Sequence, residues 1–287
     1  MIIKETEDLI KNFFKKNKIN FIPTMGNLHR GHINLLKIAK RKNHFSLVSI
    51  FVNPLQFNDK DDFINYPRTI DSDLKILEKN NADIIFLPQK NFLNNLDTSV
   101  QISNLSKKLC GLDRPGHFSG VAIIMKKFLN IIKPSFLTLG EKDFQQVLVI
   151  KKLINDIFLH TKIILSPTIR DKDGVAMSSR NNLISKDKKK LLPMIFKILN
   201  FISNKITQSG LNEKELELIK AKFLKAGFER VNYLDILKEK TLCDLNESPA
   251  NARIFISVTI DGVRLIDNYQ VIGRLIRKEN LIKRVSS

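Results

Sequence analysis

Between residues 19 and 167 the chain alternates short β-branched and aromatic runs with amphipathic stretches of helical length. No other feature restricts the fold as strongly. INFIPT (19–24), FSLVSIFV (45–52), DIIFLP (83–88), SFLTLG (135–140) and TKIILSP (161–167) read as strands. Between them HINLLKIAKR (32–41), DSDLKILEKN (71–80), GVAIIMKKFLNII (120–132) and KDFQQVLVIKKLINDI (142–157) carry apolar residues at helical spacing. Strands separated by helices make β-α-β units, and these build a parallel sheet covered by helices on both faces. Ligands of such sheets bind where loops leave the carboxyl ends of the strands.

The pattern changes after residue 168. Two charged amphipathic helices are predicted near 186–208 and 212–226, followed by strand candidates RVNYLDIL (230–237) and ARIFISVTI (252–260). DGVRLIDN (261–268) opens with an Asp-Gly turn, the signature of a hairpin. Helices followed by antiparallel strands make an α+β unit, so the chain divides into residues 1–168 and a smaller part, 169–287. The first residues, MIIKETEDLIKNFFKK, read as an amphipathic helix, with acidic residues and no small-residue cleavage site that would suit a signal peptide. The last, GRLIRKENLIKRVSS, are basic and expected to fray.

A formal net charge of +19 raises the question of a polyanionic partner. The lysines argue against one. They are spread along the chain, with only short clusters such as KDKKK (186–190), and no aromatic-interleaved stripe, zinc-finger spacing or basic heptad arm accompanies them. A lysine-, asparagine- and isoleucine-rich composition accounts for the charge, and neither a nucleic acid nor a membrane is expected as partner. No apolar run reaches the roughly 18–20 residues that span a bilayer. Cys110 and Cys243 lack any metal or redox spacing, so they read as reduced thiols of a cytoplasmic protein.

Six stretches carry residues suited to chemistry. PTMGNLHRGH (23–32) follows a strand and opens a helix, with His29 in the loop, His32 in the first helical turn, and Gly26 and Gly31 beside them. A helix start offers unpaired N–H groups to a phosphate, and both histidines can donate to the same anion. The P-loop and the dinucleotide fingerprint are both absent. In SIFVNPLQFN (49–58), Asn53 and Gln56 suit hydrogen bonding to hydroxyls and carboxylates, although Asn-Pro is also a plain turn. In YPRTIDSD (66–73), Asp71 reads as a helix cap, and Asp73 is open between a cap and a ligand to Mg²⁺. LDRPGHFSGVA (112–122) places Arg114, His117 and Gly120 before a helix. In LGEKDFQQ (139–146), Gly140 would allow close approach, Lys142 would face a phosphate and Asp143 a hydroxyl or a cap, while Gln145 and Gln146 take different helix faces. In DGVAMSSRNN (173–182), Ser178, Ser179 and Arg180 make a phosphate clamp.

PTMGNLHRGH, SIFVNPLQF, YPRT, RPGHFSGV, GEKDFQQ and MSSRN, in this order, resemble the pantoate–β-alanine ligase family, from about residue 20 to about 185, with an echo in RLIDN (264–268). His29-x-x-His32 is similar to the HIGH signature of the wider nucleotidyltransferase superfamily, and MSSR to its second signature loop. The resemblance implies a cytoplasmic homodimer, a Rossmann-like doubly wound N-terminal domain, and a smaller C-terminal domain that acts as a lid. It implies ATP and Mg²⁺, and the condensation of pantoate with β-alanine through a pantoyl adenylate, releasing pyrophosphate and AMP. By the same resemblance Met25, Gly26, Asn27, Leu28, His29, Arg30, Gly31 and His32 form an ATP loop, with His32 as proton donor. Gly140, Glu141, Lys142 and Asp143 form a second ATP-binding turn, Ile169 contacts adenine, and Met177, Ser178, Ser179 and Arg180 contact phosphate. Lys142, Ser178, Ser179 and Arg180 join the two histidines in the catalytic set. Gln56, Gln146 and Asn53 serve pantoate and β-alanine, and Asp73 lies near the metal. The chain departs from the family pattern at Asn27 for alanine, Phe144 for tyrosine, Ile123 for threonine and Leu183 for tyrosine.

Overall fold

A computed structural model of the chain describes residues 1–5, 18–41, 44–208, 210–245 and 251–271. The amphipathic helix expected at the N-terminus and the basic tail fall largely outside the described residues. The chain forms two compact units, Met1–Ile169 and Arg170–Ser287.

The first unit is built on six parallel strands: β1 (Ile2–Ile3), β2 (Ile19–Thr24), β3 (Phe45–Ile50), β4 (Ile84–Phe86), β5 (Phe136–Gly140) and β6 (Lys162–Ser166). Their order is β1-β4-β3-β2-β5-β6. The main helices are α1 (Arg30–Lys40), α2 (Lys60–Ile64), α3 (Ile70–Lys79), α4 (Cys110–Asp113), α5 (His117–Ile132) and α6 (Phe144–Asp156). Each strand expected from the sequence is present, within a residue or two of its expected ends. The two-residue edge strand β1, paired with Ile85 and Phe86, was not expected; two residues carry no periodicity.

Alternation along the strands explains the two covered faces. Ile22, Val48 and Ile85 pack with Leu35, Leu36 and Ala39 of α1 and Leu77 of α3. Their neighbours Phe21 and Phe86 turn the other way and meet the ring of Phe128 on α5, at centroid distances of 5.3 and 6.1 Å. A period of two on fully buried strands therefore sorts side chains into two cores, one on each face.

The second unit has three antiparallel strands, β7 (Arg230–Lys238), β8 (Ala252–Ile260) and β9 (Val263–Gln270), in that order, with helices α7 (Lys186–Lys189), α8 (Pro193–Gln208) and α9 (Glu213–Ala226). Leu199, Ile202 and Phe223 of the helices pack on Ile254, Ile256 and Val258 of the central strand. Asp261 and Gly262 both take positive φ, as the tight turn between β8 and β9 requires. The single helix expected over 186–208 is broken before Pro193, because proline has no N–H to donate and disfavours helix at the preceding residue. Both cysteines are free thiols, Cys110 buried and Cys243 exposed. No helix among the described residues is long and apolar enough to cross a membrane.

One buried ion pair organises the second unit. Arg170 grips Asp267 of β9 with two bonds, 2.5 and 3.0 Å. The same guanidinium donates to the carbonyls of Gly174 and Asn268 and lies 4.2 Å from the centre of the Phe196 ring. The loop that leads to Met177–Arg180 is thereby pinned to the sheet. Asp267→Ala leaves a buried cation without its partner, and urea unfolding should show a loss of about 3–5 kcal/mol.

Candidate active site

The strands β3, β2, β5 and β6 are neighbours, and three of the six stretches leave the carboxyl ends of the first three, at Asn53–Gln56, Met25–His29 and Glu141–Asp143, while Pro167–Ile169 follows β6. The chain leaves β2 for β3 on one side and has β5 on the other, so the sheet reverses direction at β2, and the crevice of a doubly wound sheet lies at such a point.

The loop after β2 is held from below. Gly26 (φ +82°) and Asn27 (φ +49°) are left-handed, a conformation that glycine adopts without strain and asparagine tolerates best among side chains. A Cβ on Gly26 would sit 3.0 Å from Oδ2 of Asp73. Asp73, on α3, is 1% exposed. Its Oδ2 accepts from the Asn27 N–H (2.9 Å) and the Thr69 hydroxyl (3.1 Å), and its Oδ1 accepts from the Leu28 N–H (2.8 Å). Both carboxylate oxygens thus accept bonds from the loop or from Thr69, and no group of three or more His, Cys, Asp or Glu among the described residues is placed to hold a metal. Asp71, expected as a cap, lies exposed in the first turn of α3.

Helix α1 begins with a capping box made of histidines. His29 is the N-cap; its Nδ1 accepts from the Gly31 N–H (3.1 Å), and Nδ1 of His32 accepts from the His29 N–H (3.3 Å). Gly26 donates to the Thr24 hydroxyl at 3.3 Å. The amides of Gly26, Asn27, Leu28, His29, Gly31 and His32 thus all bond inside the protein, which corrects the expectation that they are left for a phosphate. Because each Nδ1 is an acceptor, each imidazole carries its proton on Nε2. The rings stack obliquely, 4.1 Å between centroids. Burial, followed by the charge of Lys142, lowers the His29 pKa from 6.5 to about 4, against a smaller opposing pull from Asp143. Burial, followed by His29 and Lys142, lowers that of His32 to about 3. Both are therefore neutral N–H donors at pH 7, and the cation beside them is Lys142.

Lys142 follows β5 and lies 3.5 Å from Asp143. Glu141, Lys142 and Asp143 form a single 3-10 turn, and Gly140 would meet only Leu35, at 3.9 Å, if it gained a Cβ; the protein itself does not demand glycine there. On α6 the two glutamines separate cleanly. Gln145 is buried, accepts from the Cys110 N–H and donates to the carbonyls of Leu105 and Lys108. Gln146 is half-buried, and its amide has no hydrogen-bond partner among the described residues. Of the two, Gln145 is the one whose amide is used inside the protein.

After β3, Asn53 is buried and caps the turn Pro54–Gln56, accepting from Leu55 N–H (3.2 Å) and donating to the Gly120 carbonyl (3.0 Å). Its amide thus holds the turn and ties it to α5. Gln56 reaches the loop after β2, donating to the sulfur of Met25. Of the remaining loop residues, Leu28 is buried in the core and Arg30 is exposed. Arg114 and His117, expected as basic groups at a helix start, instead approach the main chain of Gln56; sequence reading missed this role, for which only the RPGHF-Gly120 spacing was a signal. Ile169 closes the first unit. In the second unit, Ser178 caps a 3-10 turn by accepting from the Arg180 N–H (3.2 Å), Ser179 is buried, and Arg180 and Met177 are half-buried.

The sequence profile of the family described as pantoate-beta-alanine ligase matches residues 2–270. A pantothenate synthetase of Buchnera aphidicola subsp. Acyrthosiphon pisum is 42% identical over 270 residues, which cover 92% of this chain and 94% of the relative. The crystal structure of pantothenate synthetase from Thermus thermophilus superposes with a TM-score of 0.88 at 33% identity, covering 94% of this chain and 99% of that one. A pantoate-beta-alanine ligase from Francisella tularensis, solved with beta-gamma ATP and beta-alanine, gives a TM-score of 0.80 at 36% identity, covering 94% and 97%.

Two outcomes test the geometry. The folded pKa values of the histidines lie below 6.5, so the unfolded chain binds more protons between about pH 6.5 and pH 3, and stability present above that window is lost as pH falls through it. The double variant His29→Asn, His32→Gln keeps an ordinary Asn/Gln capping box without titrating. Its urea midpoint should fall less between pH 6.5 and pH 4.5 than that of the unaltered chain; parallel curves would refute the assignment. Asp73→Asn offers one acceptor and turns an NH₂ toward backbone donors, so it should cost about 1–3 kcal/mol in urea unfolding without any metal present. A metal-ligand role predicts no such loss.

Proposed function

The chain belongs to the pantoate-beta-alanine ligase family, and on that premise we propose that it is a ligase that joins pantoate to β-alanine in an ATP-dependent reaction yielding pantothenate. The observation that carries the reading is the family match across residues 2–270, taken together with a histidine pair, a lysine and two glutamines on loops and a helix that follow adjacent strands. The Francisella relative, crystallised with beta-gamma ATP and beta-alanine, supports ATP and β-alanine as ligands of this fold.

In the proposed mechanism a pantoate carboxylate oxygen attacks the α-phosphorus of ATP, and the bond to the bridging oxygen breaks with release of pyrophosphate. The amine of β-alanine then attacks the acyl carbon of pantoyl adenylate, loses a proton, and expels AMP. Such phosphoryl chemistry needs charge placed against the phosphate more than it needs covalent catalysis. His29 and His32 supply neutral Nε2–H donors and Lys142 supplies the positive charge; His32 acts as a hydrogen-bond donor to the phosphate and not as an imidazolium acid. Mg²⁺ would enter with ATP and would neutralise phosphate charge, and Asp73 is the carboxylate that the family resemblance puts near it. Gln56 and Gln146 hold pantoate. Met25–His32, Gly140–Asp143 and Ile169 serve ATP. Met177, Ser178, Ser179 and Arg180 enter through their match to the family loop, and the unit that carries them acts as the lid. The working form is a homodimer in the cytoplasm.

Incubation with ATP, Mg²⁺ and pantoate, followed by addition of β-alanine, tests the reaction. Pyrophosphate is released with pantoate, and AMP and pantothenate appear only once both small substrates are present; AMP formed without pantoate would refute the proposal. The two glutamines give a sharper test. Gln146→Ala should raise the KM for pantoate about tenfold, the value of one hydrogen bond to a charged group, with the KM for ATP nearly unchanged. Gln145→Ala should instead lower the unfolding midpoint. An equal effect of Gln146→Ala on both substrates would count against its role.

A further inference from the structure

The main-chain carbonyl of Gln56 receives two donors from one short stretch. His117 Nδ1 lies 2.7 Å from it and Arg114 Nη2 lies 3.0 Å from it. Arg114 Nη1 also lies 3.4 Å from Nε2 of His117. The proton positions follow from chemistry: a carbonyl only accepts, so Nδ1 donates, and a guanidinium only donates, so Nε2 accepts. These two bonds are compatible only with a neutral imidazole protonated on Nδ1, the opposite tautomer to that of His29 and His32. His117 is buried, at 8% exposure.

The same face of α5 holds the rest of the turn. The Gly120 carbonyl accepts from Asn53, the cap of the turn, and Asn53 Nδ2 also lies 3.4 Å from Oε1 of Gln56. Gly120 allows this approach: a Cβ there would stand 2.0 Å from the Leu55 carbonyl oxygen and 2.8 Å from the Gln56 nitrogen. Arg114 and His117 both bond to the Gln56 carbonyl. We propose that Arg114 and His117 are positioning residues that lock the Gln56 main chain and so aim its amide at the acid substrate, with Arg114 selecting the His117 tautomer. The inference rests on the reading that Gln56 contacts pantoate.

Steady-state kinetics on the full chain test it. His117→Leu removes the donor and should raise the KM for pantoate about tenfold while leaving the KM for ATP within about twofold. His117→Asn places an amide N–H near the Nδ1 position and should recover most of the pantoate effect. In a Gln56→Ala background there is no amide to aim, so His117→Leu should add less than about twofold, a non-additivity expected only of coupled residues. Equal changes in both KM values, no recovery with Asn, or full additivity with Gln56→Ala would overturn the proposal. Gln56→Ala that leaves the pantoate KM unchanged would overturn the reading of Gln56 itself, independently of His117. ¹⁵N imidazole shifts judge the clamp apart from kinetics and from any loss of folding: His117 should report protonated Nδ1 and bare Nε2, and Arg114→Leu should release that preference. A His117 signal protonated on Nε2 in the unaltered protein would refute the tautomer and the clamp with it.

Discussion

The buried carboxylate of Asp73 is the interaction on which the first unit's site depends. The loop with two consecutive left-handed residues, Gly26 and Asn27, has the N–H groups of Asn27 and Leu28 bonded to a side chain and not to a strand. Asp73 gathers both of those N–H groups, and the Thr69 hydroxyl completes its shell. Charge-assisted bonds of this kind are about twice as strong as neutral ones, and they act here with little competition from water. With the loop fixed, His29 falls at the N-cap of α1 and His32 one turn on. Each ring then takes its tautomer from a backbone N–H.

Electrostatics in this site is a matter of placement and not of total charge. The chain carries a formal +19, yet the two histidines nearest the proposed phosphate position are neutral because burial and Lys142 disfavour their charged forms. Neutral donors favour an incoming anion without first having to lose a counterion. Lys142 carries the net charge, and the helix start adds its partial positive end even though its amides are bonded. Histidines serve at three positions: at 29 and 32 the Nδ1 atom fixes the ring, and at 117 both ring nitrogens are engaged.

Much of this was legible in the sequence. Strand runs such as INFIPT and ARIFISVTI coincide with β2 and β8 because fully buried strands need unbroken β-branched and aromatic residues. The Asp-Gly turn placed the β8–β9 hairpin, since positive φ at both positions admits few residues. The site stretches were legible as stretches, by residue type and by their position at strand ends. The function of single side chains within them was not. Asp73, open between a cap and a metal ligand, holds a loop, Asn53 caps a turn, and His117 meets the Gln56 main chain. Each is a polar residue whose partner lies 45, 67 or 61 positions away. No local pattern encodes such a pairing.

The sequence by itself determined the architecture: the alternation of runs set a parallel α/β unit followed by an α+β unit, and the order of motifs identified the family. It did so because periodicity and turn chemistry are local properties, written within a few residues. Only the tertiary structure decided which polar groups are consumed in holding the site and which remain for a ligand. Gln145 and Gln146 are adjacent and chemically identical, yet one is saturated by Cys110, Leu105 and Lys108 and the other is not. Hydrogen-bonding capacity is finite, and where it is used depends on what the fold brings within about 3 Å of each group.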